Sequence, residues 1–112
     1  MEEILQALLA VDSVTCAVLA SRDGLIIASA AEDAAHMSRA AIASALIETA
    51  EKYCRDMRLG AVQQTVITAG SGVIVLTEAG RMLLITESSR LNSAGLIMAE
   101  ARRAARALQR QQ

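Results

Sequence analysis

Apolar positions open the chain at helical spacing. Ile4, Leu5, Leu8 and Leu9 share one face of residues Glu2 to Ala10, and Glu2 and Glu3 stand where a helix dipole favours negative charge. This predicts a short amphipathic helix, broken by Asp12 and Ser13. Two apolar runs follow, Val14 to Ser21 and Leu25 to Ala30, joined by Arg22-Asp23-Gly24. Asp-Gly between apolar runs signals a hairpin, because glycine takes positive φ without a Cβ penalty.

From about Glu32 to Arg58 the period lengthens to that of a helix. Ala35, Ile42, Leu46, Ala50, Tyr53 and Met57 form one stripe, and Ala40, Ala43, Ile47 and Cys54 widen it. Glu48, Glu51, Lys52 and Arg55 take the other side. The apolar face is broader than a helix on one sheet needs. Small residues at 40, 41, 44 and 45 admit a second helix at close range. Leu59-Gly60 ends the helix, with Gly60 expected at its C′ position.

Three strand-like runs come next. Val62 to Ala69 mixes polar and apolar residues and reads as an edge strand. Val73 to Thr77 and Met82 to Thr86 are apolar on both faces, which predicts central strands covered above and below. Gly70-Ser71-Gly72 and Glu78-Ala79-Gly80 turn the chain between them. The last segment, Asn92 to Gln112, is a helix with Ile97, Ala101, Ala105 and Leu108 inward. Arg102, Arg103, Arg106 and Arg110 gather towards its end, and residues 109–112 are expected to fray. The order α-β-β-α-β-β-β-α predicts one α+β domain over residues 1–112: a five-stranded antiparallel sheet with helices on both faces.

Composition narrows the function. A chain of 112 residues has room for one core. Net charge is −1, and Tyr53 is the sole aromatic residue. Neither a basic field nor a stacking platform is present for nucleic acid. No apolar run approaches the ~20 residues of a membrane span, and the acidic start is unlike a signal peptide. The cytoplasm is the expected compartment.

Reactive constellations are missing. Cys16 and Cys54 have no zinc-ligand spacing and read as free thiols in a reducing compartment. His36 has no nameable triad partners. Ser88 and Ser89 read as caps near the terminal helix. Gly70-Ser71-Gly72 lacks a P-loop lysine and precedes a strand rather than a helix. The acids at 32, 33, 48 and 51 read as solvated surface, with Lys52 and Arg55 interleaved among the last two. No metal, no cofactor and no catalytic residue is expected. What remains is surplus apolar surface on the long helix, together with a strand edge over Gln64 to Thr68. Two such edges paired about a two-fold axis would make one continuous sheet.

The order of elements and several residues resemble the Roadblock/LC7 family, which includes the dynein light chain roadblock type and MglB-like proteins. The likeness is carried by residues 18–28 (VLASRDGLIIA), by Leu83-Leu84-Ile85, by residues 92–97 (NSAGLI) and by Arg102-Arg103-Ala104-Ala105. It spans nearly the whole chain and implies a roadblock/profilin-like sandwich.

The resemblance also implies a non-enzymatic homodimeric platform that binds a small Ras-like GTPase and acts on its switch regions, with the catalytic groups in the GTPase. Carried over here, the dimer interface comprises Ile42, Ala45, Leu46, Thr49 and Tyr53 of the long helix with Gln64, Thr65, Val66, Ile67 and Thr68 of the edge strand. Glu48, Glu51, Lys52 and Arg55 are the expected partner contacts. The alternatives are a structural adaptor with no effect on nucleotide turnover and, ranked lower, a small-molecule or peptide sensor.

Overall fold

The computed structural model describes residues 1–31 and 36–112, with the backbone alone at 36 and 37. Its elements are α1 (Glu2–Leu9), β1 (Val14–Ser21), β2 (Ile26–Ser29), α2 (His36–Asp56), β3 (Gln64–Ala69), β4 (Gly72–Ala79), β5 (Met82–Ser88) and α3 (Ala94–Gln109). A 3-10 turn, Leu91–Ser93, leads into α3. The start expected for the long helix, including Glu32, Asp33 and Ala35, lies outside the described residues.

All strand pairs are antiparallel, and the sheet order is β2-β1-β5-β4-β3. The expected five-stranded sheet with helices on both faces is therefore present. Three pairs are sequence-adjacent hairpins. The fourth, β1 with β5, joins the start of the sheet to its end and makes β1 as central as β4 and β5. The polar Val62 run supplies the β3 edge, with β2 at the other edge.

The helices divide the core in two. Beneath α1 and α3 lie Leu5, Leu8, Leu19, Val75, Leu84, Ile97 and Leu108. Beneath α2 lie Cys16, Val18, Ile47, Leu76, Leu83 and Ile85. Strands buried on both sides explain the near-continuous apolar runs. Gly24 makes the first hairpin turn at φ 91°, and a Cβ there would stand 3.2 Å from the Cα of Ala41. The turn thus presses on α2, and the Ser44 hydroxyl donates to the carbonyl of Arg22.

The end of α2 differs from expectation. Leu59 N–H reaches the Cys54 carbonyl at 2.8 Å, and Arg58 N–H reaches that of Arg55 at 3.1 Å. This is a Schellman pattern, so C′ is Arg58 at φ 58°, not Gly60. Gly60 makes a second left-handed bend at φ 92°. Two bends are needed because Val62 must turn back into the α2-side core. Beyond α3, the Gln112 side chain donates to the Ala79 carbonyl at 2.5 Å and accepts from Arg81 N–H at 3.1 Å. Among the described residues no helix is long and apolar enough to cross a membrane.

Candidate functional site

Successive residues of a helix turn by about 100°, which divides α2 into three strips. Ala40, Ala43 and Ile47 face the sheet and are buried. The broad apolar stripe read from the sequence is thereby split. The set expected to widen it meets the core, as does Ala50 of the main stripe, while Ile42, Leu46, Tyr53 and Met57 stand on one flank. There Ile42 is 60% exposed, Leu46 38% and Tyr53 62%, and Met57 is exposed as well. Ala45 and Thr49 are exposed beside them.

This flank overlooks a gap in the cover of the sheet. The helix packs over β1, β2 and β5. The same face of β4 and β3 is left partly open, so Ile74 and Ile67 are only half-buried. Between the flank of α2 and strands β4 and β5 runs a hollow of about 240 Å³ lined by Ile42, Leu46, Ile74, Leu76 and Ile85. Arg39 and Glu87 close one end as a two-point ion pair, with Nε to Oε2 at 2.5 Å and Nη2 to Oε1 at 3.1 Å. An apolar band thus runs from the flank of α2 to the edge of the sheet.

At that edge, register separates the expected interface residues. Thr65 and Ile67 pair with Leu76 and Ile74 and share the α2 side. Gln64, Val66 and Thr68 pair with Thr77, Val75 and Val73 and lie on the α3 side, where Val66 is exposed. The Gln64 amide is tied down there. It donates to the Met98 carbonyl at 2.9 Å and accepts from Arg102 at 2.6 Å. Ile74 was not singled out in the sequence. Its strand reads as buried on both faces, and only the off-centre seat of α2 exposes it.

The opposite flank carries Glu48, Glu51, Lys52 and Arg55. Lys52 pairs with Asp56 at 2.7 Å. One Nη2 of Arg22 meets both Glu78 oxygens at 2.6 and 2.7 Å and Glu51 at 3.3 Å. Burial pushes the Glu78 carboxyl above its ordinary value of 4.5. Attraction to Arg22 opposes this, Glu51 adds to it, and the hydrogen bond from Arg22 opposes it. The close approach of one guanidinium nitrogen to both oxygens would by itself lower the value, so desolvation is the stronger effect here. Glu48 and Arg55 have no ion-pair partner among the described residues. On α2, Ile42, Leu46 and Tyr53 of the set expected to bind a second copy therefore lie on the flank opposite Glu48, Glu51 and Arg55 of the set expected to bind a partner.

Elsewhere, Cys16 is buried under α2 and Cys54 is half-buried. The side chain of His36 lies outside the description. Ser88 is buried at the end of β5, where its Oγ bonds Ser13 Oγ at 2.8 Å and accepts from Arg90 N–H at 3.2 Å, at the start of the turn that leads into α3. Among the described residues no cluster of three or more His, Cys, Asp or Glu could hold a metal ion.

The chain is thus a small α+β sandwich with one face closed and an apolar band open beside an edge strand. The chain is a member of the Roadblock/LC7 domain family, whose pattern matches residues 1–87, from α1 into β5. A Roadblock/LC7 domain from Streptomyces avermitilis is similar at 24% identity, covering 99% of this chain and 96% of that one, with a TM-score of 0.91. The gliding protein MglB from Thermus thermophilus shares 20% identity over 97% of this chain and 85% of that one, at 0.88. An MglB with a tetrameric arrangement shares 21% over 97% and 85%, also at 0.88. At these identities the likeness establishes the fold. No curated protein matches the chain in sequence.

Proposed function

We propose that the protein is a homodimeric platform that binds a small Ras-like GTPase and regulates its nucleotide turnover without catalytic groups of its own. The observation that carries the reading is the apolar band of Ile42, Leu46, Tyr53, Ile67 and Ile74 beside the unpaired edge of β3. A second copy related by a two-fold axis would pair β3 with β3 and lay its own α2 into the hollow. The same operation buries Ala45, Thr49, Thr65, Val66 and Thr68 and makes one sheet of two. Membership in the Roadblock/LC7 family and the likeness to an MglB of tetrameric arrangement support self-association. The GTPase reading rests on the family. The polar flank of Glu48, Glu51, Lys52 and Arg55 stays exposed in such a dimer and is the surface offered to that partner.

The test joins two measurements. Sedimentation should give twice the monomer mass for the wild type. Leu46→Glu and Ile67→Lys should each weaken the dimer at least about tenfold, because each buries a charge at the centre of the contact. GTP hydrolysis by the Ras-like GTPase encoded nearest this gene should rise when the protein is added. Unchanged mass in both variants would sink the interface. Binding without a change in turnover would replace the regulator by a structural adaptor.

A further inference from the structure

The net charge of −1 conceals a segregated surface. Segment 60–63 carries the chain from α2 to the edge strand, and arginines flank it on both sides. Arg55 and Arg58 line a hollow of about 430 Å³ on one side, with Gly60 and Ala61 as its floor. Arg102 and Arg106 line a second hollow of about 200 Å³ on the other side, against Gln63 and Thr77. None of the four meets a carboxylate among the described residues, whereas Arg22, Arg39, Arg90 and Arg103 all do. Arg102 and Arg106 are four residues apart on α3, where like charges repel across one helical turn. Arg58 holds a left-handed C′ position that glycine fills at lower cost.

We propose that this arginine band docks an acidic polypeptide segment lying across residues 60–63. Two separated pairs of guanidinium groups suit a linear partner with carboxylates on both sides of a ridge, and one phosphate would reach only one pair. The larger hollow also contains a carboxylate, that of Glu51. A continuous polyphosphate would meet repulsion there, whereas a polypeptide can set a neutral or basic residue opposite. The band has no aromatic side chain on which a base could stack. This inference does not depend on the GTPase reading. Arg55 belongs to both surfaces and is left untouched in the test.

The experiment follows fluorescence anisotropy of a labelled peptide of alternating glutamate and serine, titrated with the full chain. Parallel titrations use an oligodeoxythymidine of equal charge and phosphatidylserine vesicles. The peptide should bind at low salt and weaken as salt rises. Arg58→Gly and Arg106→Gln should each weaken it about threefold, and together about tenfold. Arg58→Gly also relieves the left-handed strain, so a loss of binding cannot be ascribed to a damaged fold. Absence of peptide binding at low salt, or binding that both variants leave unchanged, would overturn the proposal. So would oligonucleotide or vesicle binding as tight as that of the peptide. Sedimentation and GTP hydrolysis should be unaltered in both variants, which keeps this result separate from the platform reading.

Discussion

The two faces of the sheet draw on similar apolar strands and are finished differently. Below it, α1 and α3 pack against each other, and Leu5, Leu8, Ile97, Ala101, Ala105 and Leu108 vanish from solvent. Above it lies one helix whose inward residues are mostly alanine, and Ile42, Leu46 and Tyr53 stay exposed on its flank. A closed face supplies the stability of the single chain. The half-closed face leaves contiguous apolar surface exposed, which is the surface the proposed dimer would cover. The difference comes from where α2 rests, over β1, β2 and β5, and not from any shortage of apolar residues on it.

The largest expected effect tests that division. Leu108→Ala empties a fully buried site on the closed face and should cost about 2–5 kcal/mol in urea unfolding. Leu46→Ala removes the same atoms from the open face and should cost the dilute monomer under about 1 kcal/mol, while the proposed dimer should loosen. Equal losses in the monomer would erase the contrast between the faces.

A smaller effect of opposite sign sharpens it. Thr86 pairs with Ala17 and Val75 on the closed face and is fully buried. Its hydroxyl has no hydrogen-bond partner among the described residues. Thr86→Val keeps the shape and removes the stranded group, so it should stabilise by about 1 kcal/mol. Thermal unfolding should show a rise of a few degrees, and a fall would mean that the hydroxyl is satisfied in solution.

The smallest effect belongs to the open side. The folded Glu78 carboxyl titrates above its ordinary value, so the native state holds its proton to higher pH than the unfolded chain does. Its contribution to stability is greatest below 4.5, that ordinary value, and is lost as pH rises through the raised one. Urea midpoints of the wild type relative to Glu78→Gln should therefore decline over that interval. A relative gain with rising pH would show that Arg22 outweighs burial.

Much of the fold was legible because its signals are local. The short apolar runs, the Asp23-Gly24 turn and the inner stripe of Ile97, Ala101, Ala105 and Leu108 each depend on a few neighbouring residues. Errors arose where a preference met a longer-range demand. Glycine favours C′ positions, yet Arg58 takes that place because Val62 has to return to the core. The long helix showed a surplus of apolar surface, but periodicity alone could not say which part of a wide stripe would face the sheet. The candidate site was thus visible as an excess and not as a location.

The sequence by itself determined the elements, their order, the edge character of β3 and the presence of more apolar surface than one chain could cover. Those properties follow from side-chain period and turn chemistry. Tertiary structure alone decided the pairing of β1 with β5, which closes the sheet across most of the chain. It decided that Gly72 must be glycine, since a Cβ there would lie 2.5 Å from the Ser88 carbonyl oxygen. It also set α2 off-centre, opening Ile74 beside Ile42, and drew Arg55 and Arg58 at the end of α2 together with Arg102 and Arg106 of α3 around residues 60–63. Each of these depends on segments far apart in the chain meeting in space, and no local pattern encodes that meeting.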